Sequence, residues 1–237
     1  MAHGLGDDAR CWWRVAAALE NDFDIVMIDA RNHGHSGSGP GGVSRMAADV
    51  SAVIDALGLD APVLLGHSVG ARTMAELAIN EPDQVEMLVL VDPPWTVDMK
   101  DEGVVPADRI ASMKRWLTSL PELPGDELVA LGHRQHPNWS ADDFPAWIES
   151  KRLVRPEAAD SLTGQGWAQI VPELACPTLL VYGDVERHGM VTSAVADQVV
   201  ALNDQVVTRH IAGTGHNIHR EDFAAFIGVV TDFFASE

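Results

Sequence analysis

Short, continuously apolar runs alternate with segments of helical period along most of this chain, and that alternation constrains the fold more than any other feature. The runs lie at 24–30 (DIVMIDA), 61–66 (APVLLG), 85–92 (VEMLVLVD), 177–183 (PTLLVYG) and 205–212 (QVVTRHIA). They are rich in Val, Leu and Ile, bounded by Gly, Pro or Asp, and read as strands. Most are apolar throughout rather than at every second position, as expected when helices cover both faces of a parallel sheet. Helical periodicity marks 8–20, 44–57, 69–80, 192–202 and 220–235, with Ser44 and Thr192 as expected N-caps and Gly58 as a helix stop. The pattern predicts an α/β doubly wound domain with right-handed crossovers.

Residues 93–172 break the rhythm. They contain no convincing strand but have helical patterns at 106–120, 126–136 and 141–153. The expected organisation is a core of 1–92 and 173–237 carrying a helical insertion at 93–172. The insertion holds five of the seven tryptophans, Trp95, Trp116, Trp139, Trp147 and Trp167. Such a composition suits a lid over an apolar pocket, or a plain helical subdomain whose tryptophans fill its own core.

Composition narrows the partners. Acidic residues outnumber basic ones 35 to 16, for a net charge of −19, so the surface field repels phosphate backbones and anionic headgroups. Nucleic acid and membrane are therefore not expected partners. The sequence has no apolar run of about 18 residues and no basic-then-apolar leader pattern, and its two cysteines, Cys11 and Cys176, form neither a CxxC pair nor a disulfide framework. The expectation is a cytoplasmic, soluble protein with two ordinary thiols.

The most specific chemical signal is Gly66-His67-Ser68-Val69-Gly70, a G-x-S-x-G between an apolar run and a helical segment. A serine at a sharp strand-to-helix turn sits in strained backbone, flanked by glycines because neighbouring chain passes too close for a Cβ. Its hydroxyl then stands above the carboxyl edge of the sheet, a candidate nucleophile, and the Val69 N–H at the helix start faces any oxyanion that forms. The turn His3-Gly4-Leu5-Gly6 can present the Leu5 N–H as a second donor. A serine nucleophile needs a base, and His216 in Gly213-Thr214-Gly215-His216-Asn217, just beyond the last run, is the candidate among ten histidines. The pairs His133/His136 and His216/His219 have chelating spacing but no evident third ligand, so no metal is expected. His3, Trp95 and Trp139 are candidate substrate contacts.

With these residues assembled, the chain resembles the α/β-hydrolase superfamily, in the cofactor-free branch of lid-bearing esterases, lactonases and haloperoxidase-like hydrolases. The matching pieces are HG at 3–4, DARNHGHS at 29–36, GHSVG at 66–70, LVLVDPP at 88–94, LLVYGD at 179–184 and GTGHNIHRE at 213–221, in family order. The resemblance implies Ser68 as nucleophile, His216 as base, Leu5 and Val69 as oxyanion donors, and no metal or organic cofactor. For the acid it implies Glu186, three residues after the glycine ending the penultimate strand, with Asp92 and Asp184 as alternative positions. The implied activity is hydrolysis of a small-molecule ester or lactone with an apolar portion. Its rivals are cleavage of a carbon–carbon bond by the same residues, or a ligand-binding member that does not turn over.

In the family the HG turn follows a strand that lies between the strands matching 24–30 and 61–66 and is itself preceded by an antiparallel pair. None of these precedes His3 here. The expectation is a domain lacking its usual beginning, with an irregular join between 24–30 and 61–66 and with Leu5 poorly anchored.

Overall fold

The computed structural model describes residues 1–236. Four parallel strands, β1 (Leu64–His67), β2 (Leu88–Val91), β3 (Thr178–Tyr182) and β4 (Val206–His210), form one sheet in the order β1-β2-β3-β4. The helices are α1 (Trp13–Leu19), α2 (Val43–Leu57), α3 (Val69–Asn80), α4 (Ala107–Ser119), α5 (Gly125–Gln135), α6 (Phe144–Leu153), α7 (Trp167–Ile170), α8 (Ser193–Leu202), α9 (Ile218–Glu221) and α10 (Phe223–Ser236).

The continuous apolarity of the strands is explained by two cores. Leu64, Leu88, Leu90, Leu180, Tyr182 and Val206 pack on one face with residues of α2, α3 and α8. The intervening Leu65, Val89, Val91, Leu179 and Val181 pack on the other with α1 and α10. Period-two alternation thus decides which core each residue enters, while both destinations are dry. All four side chains of β2 are fully buried, and each is worth roughly 1.5–3 kcal/mol relative to exposure. The outer edge of β4 carries the exposed Arg209 and His210, a polar margin that discourages edge pairing.

Two local expectations change. Ser44 does not cap α2: Gly42 is the N-cap, and the Ser44 hydroxyl instead donates to the buried Glu76. Thr192 does cap α8 by accepting from Val195 N–H at 3.1 Å, and Gly58 ends α2 at φ +62°, the left-handed conformation that favours glycine.

The segment 24–30 is not a strand. Only Ile28 makes a bridge, and its partner is Ala2, which also bridges Gly66. Met1–His3 is thus a short extended piece threaded between 26–28 and β1: Ala2 N–H donates to Leu65 O (2.9 Å), His67 N–H to Ala2 O (3.0 Å) and Ile28 N–H to Met1 O (3.2 Å). The join is irregular, as expected, but Leu5 is half-buried and packed against both the insertion and the Ala30–Met46–Val69 cluster. The expectation of a poorly anchored Leu5 is therefore corrected. The anchors are side chains, described below.

Residues between β2 and β3 carry helices and no strand among the described residues. They form a small core of their own, with Leu117, Leu120, Leu128, Trp139, Phe144 and Trp147 at its centre. Its base is stapled to the sheet domain by the buried Arg72 of α3, whose guanidinium donates to the carbonyls of Leu162 (2.8 Å), Gly103 (3.3 Å) and Gln165 (2.7 Å). Both cysteines are free and buried. No helix among the described residues is long and apolar enough to cross a membrane.

Candidate active site

Ser68 follows β1 directly and precedes α3, with φ +55° and ψ −121°. A non-glycine residue at this conformation costs on the order of 1–3 kcal/mol, a strain the surroundings must over-determine. They do so by close approach. A Cβ on Gly66 would lie 2.5 Å from Gly70 O, and one on Gly70 would lie 2.4 Å from Ala2 O and 2.5 Å from His3 O. Both glycines are therefore fixed by contact rather than by turn type, and the hydroxyl is left at the rim of the sheet on a residue only 7% exposed.

Strand register brings the acid alongside. His67 pairs with Val91, so the residues just past each strand, Ser68 and Asp92, stand level at the carboxyl edge. Asp92 is itself at φ +42° and entirely buried. Its carboxylate accepts from Met190 N–H (2.9 Å to Oδ2) and Val191 N–H (3.2 Å to Oδ1). His216 Nδ1 lies 2.6 Å from Asp92 Oδ2, and His216 Nε2 lies 2.9 Å from Ser68 Oγ. With Nδ1–H donating to the carboxylate, Nε2 is left with its lone pair toward the serine hydroxyl, the tautomer a general base requires.

The expected acid, Glu186, is not part of this relay. It is exposed on the single 3-10 turn Val185–Arg187, a few residues before Met190 and Val191, whose amides support Asp92. Asp184 is also excluded: it accepts from Gly213 N–H at 2.8 Å and pairs with His210 Nε2 at 2.7 Å, tethering the start of the loop that carries His216. The carboxylate positions after β2 and after β3 are both near the sheet edge, and the difference lies in which one the loops bury. The sequence did contain a signal: Asp92 directly follows five successive apolar residues, Met87 to Val91, whereas Glu186 sits in a polar V-E-R-H-G stretch.

Other candidates divide. Leu5 and Gly6 form the corner of a β-turn closed by Asp7 N–H to Gly4 O (3.2 Å), with Gly6 at φ +74°, the positive φ that a type II turn needs at its third residue. The Leu5 and Val69 amides do not take part in the hydrogen bonding of this turn or of the helix start. His3 and Trp95 are corrected as substrate contacts. His3 is 1% exposed, and both its ring nitrogens are used, one toward Gly4 O at 2.8 Å and the other accepting from Ala30 N–H at 3.0 Å. Trp95 is 1% exposed and packs in the main core. Trp139 lies in the core of the insertion with the Arg220 guanidinium 4.3 Å from its ring and His136 stacked on it at 3.8 Å. Trp147 shares that core, Trp167 joins the main core, and Trp116 faces solvent. The tryptophans of the insertion therefore mainly fill cores.

Several groups around the site were not singled out by sequence reasoning. The His67 ring packs against that of His216 at a 47° tilt (centroids 4.6 Å apart), and its Nε2 lies 2.8 Å from His216 O, a donor to that carbonyl. Burial, reinforced by the neighbouring His216 and His219, holds His67 well below the ordinary histidine range and so neutral. Asp7 forms a buried ion pair with Arg220 of α9 (2.6 Å). Burial alone would raise the Asp7 carboxyl, but Arg220 and Lys151 outweigh it and hold it far below the usual range. No group of three or more metal-ligating side chains occurs among the described residues.

This geometry defines a class: α/β proteins that hold a serine, a histidine and an acid together at the carboxyl ends of parallel strands. A family model for the alpha/beta hydrolase fold matches residues 1–223, and the chain belongs to that family. It is 28% identical to the N-formylmaleamate deformylase of Pseudomonas putida, over 98% of this chain and 87% of that one. It is 25% identical to the esterase YbfF of Escherichia coli, over 93% and 86% of the respective chains. Among solved structures, E-2-(acetamidomethylene)succinate hydrolase superposes with a TM-score of 0.82 at 20% identity, covering 99% of this chain and 90% of that one. The enol-lactonase of Burkholderia xenovorans superposes with a TM-score of 0.73 at 21% identity, covering 99% and 88%. At those identities the superpositions speak for the fold. The chain is a hydrolase of this fold.

Proposed function

We propose that this protein is a serine hydrolase of small carboxylic esters or lactones, working through an acyl-enzyme on Ser68. The observation that carries the reading is the unbroken relay from Asp92 through His216 to Ser68, at 2.6 and 2.9 Å. His216 takes the hydroxyl proton as Ser68 attacks the carbonyl, Asp92 stabilises the imidazolium, and the Leu5 and Val69 amides receive the oxyanion. His216 returns the proton to the leaving alkoxide, then activates a water that releases the acid. The reaction calls on no metal or organic cofactor. A second reading, hydrolysis of an N-formyl amide by the same residues, is favoured by the resemblance over nearly the whole chain to a deformylase.

Two assays test the pair. A fluorophosphonate should label the protein, and short p-nitrophenyl esters should be hydrolysed, with both signals lost on Ser68→Ala, by a factor approaching 10⁶ in rate by analogy with other serine hydrolases. Absence of labelling and of hydrolysis in the unaltered protein defeats the serine-hydrolase reading. Formate release from N-formyl amides at a higher kcat/KM than any ester or lactone of similar size would replace the first reading with the second.

A further inference from the structure

The turn that presents the Leu5 amide is gripped by a buried cation from the insertion. Lys151 of α6 is 4% exposed, and its ammonium donates to Gly6 O and contacts Ser150 Oγ at 3.2 Å. Ser150, fully buried, has its hydroxyl 2.7 Å from Trp147 O and 3.2 Å from Gly6 O, with one proton to share between the two carbonyls. The ammonium lies 4.6 Å from the centre of the Trp147 ring. No carboxylate pairs with it directly, since Asp7 is engaged by Arg220. Burying an ammonium without a counterion in contact is costly, and here its charge is directed at one peptide carbonyl.

That carbonyl belongs to the third residue of the 4–7 turn. The other face of the same residue is also held, because Gly6 N–H donates to His33 Nε2 at 3.1 Å while His33 Nδ1 bonds Arg31 O at 3.0 Å. Gly6 is therefore fixed from both sides, by the sheet domain through His33 and by the insertion through Lys151 and Ser150. The geometry points to Lys151 and Ser150 as positioning residues that set the oxyanion turn, so that docking of the helical insertion and alignment of the Leu5 N–H are one event. This inference rests on the serine-hydrolase reading above. A donor misplaced by about 1 Å can cost on the order of 100-fold in rate.

Lys151 occupies a place where α6 would otherwise be apolar. Phe144, Trp147 and Lys151 are spaced 3 and 4 apart and all three are buried, so they share the core-facing stripe. Arg10 and Glu149 pair across the same junction, and Trp13 Nε1 donates to Asp143 Oδ1 at 3.3 Å. These contacts hold the insertion against 8–14, and apolar residues of the insertion pack on Leu5, but the polar contacts of the insertion with the turn are those of Lys151 and Ser150.

The test is Lys151→Met, with Ser150→Ala as the milder variant and Lys151→Arg as the charge-keeping one. For a p-nitrophenyl ester, kcat should fall about 10- to 100-fold in Lys151→Met with KM within a factor of two, Ser150→Ala should show the same pattern more weakly, and Lys151→Arg should recover part of the loss. Affinity for a boronic acid that mimics the tetrahedral state should fall in step with kcat/KM. Hydrogen exchange across residues 3–9 should quicken in Lys151→Met, and this readout does not depend on turnover. If the unaltered protein fails to hydrolyse esters, the reading of function falls while exchange still decides the clamp. A folded Lys151→Met with unchanged kcat, with a raised KM alone, or with unchanged exchange at 3–9 overturns the inference.

Where Lys151→Met does not fold, the pH profile of the unaltered protein decides. Burial pulls the ammonium down to about 8, with Asp7, Asp8 and Cys11 pulling it up and Arg220 pushing it further down; His33 and His136 are the other titratable groups that feel it. Loss of the proton should lower kcat, not raise KM, as pH passes through about 8, and a flat kcat from about pH 7 to 9.5 overturns the inference.

Discussion

The two halves of the candidate site are held by different means. Ser68 and Asp92 stand just past β1 and β2 and take their positions from ladder hydrogen bonds: Ser68 N–H donates to Val91 O at 2.9 Å and Asp92 N–H to Val181 O at 2.8 Å. His216, six residues beyond β4, is brought to them by a loop tethered through Gly213 N–H to Asp184 (2.8 Å) and through its carbonyl to His67 Nε2 (2.8 Å). The 4–7 turn has almost no ladder behind it, because Ala2 contributes a single bridge on each side. Side chains do the work instead: His3, His33, Lys151 and the Asp7–Arg220 pair. A backbone ladder spreads position over many weak, redundant bonds. A side-chain frame concentrates it in a few buried polar groups, each costly to leave unsatisfied. The serine side should therefore tolerate surface change and fail only at the reacting residues, while the turn side should be sensitive to pH and to small steric changes.

The largest effect separates the two acid positions. Asp92→Asn should lower kcat by about 10⁴-fold, by analogy with the measured effect of removing that charge in a serine-protease triad, whereas Glu186→Gln should stay within about twofold. Equal losses in steady-state assays of the two variants would mean that the loop after β3 reorganises during turnover and that the ladder does not dictate the relay.

A smaller effect is expected where the two halves touch. Gly70→Ala puts a methyl group 2.4 Å from Ala2 O and 2.5 Å from His3 O, both backbone atoms. Overpacking of this kind costs about 1–3 kcal/mol, and because the displaced chain leads into the 4–7 turn, kcat should drop as well if that turn supplies the proposed Leu5 donor. Urea unfolding and steady-state kinetics check both. Unchanged kcat despite lost stability would show that the turn is buffered from Met1–His3 by its own clamps, which would sharpen the contrast.

The smallest effect per group is electrostatic. Burial holds His3, His33, His67 and His219 below the ordinary histidine range, His33 to about 3. Unfolding restores their normal affinity for protons, so the unfolded state binds more protons below about pH 6.5 and stability is lost as the pH falls. Each histidine should contribute roughly 1 kcal/mol per pH unit below that point until its folded-state value is reached. Urea midpoints at pH 7.5 and 5.5 measure the sum. Replacing His33 by Phe should flatten the slope by about one proton, and an unaltered slope would remove His33 from the frame.

Much of this was legible in the sequence. Continuous apolar runs placed β1 to β4 within about three residues at each end, because a strand buried on both faces has no polar position to disguise it. G-x-S-x-G located the strand-to-helix elbow, and the Gly-flanked His216 was picked out as the imidazole that lies against Ser68, because both stand where the backbone needs room that few residues besides glycine provide. The segment 24–30 misled because apolarity reports burial, not pairing. DIVMIDA is apolar enough for a strand, yet only Ile28 finds a partner.

The sequence by itself determined the layers, the order of the strands' contents and two of the three members of the relay. These follow from local periodicity and from steric needs that glycine and serine announce within five residues. Only the tertiary structure decided which carboxylate meets His216, and only it revealed the frame around the 4–7 turn. Asp92 and Glu186 carry the same charge, and what separates them is a 2.6 Å approach across 124 positions of chain. Lys151 meets Gly6 across 145 positions. Charge and reach are written in residue identity, but which buried carboxylate faces which imidazole is settled by how loops close over the sheet edge.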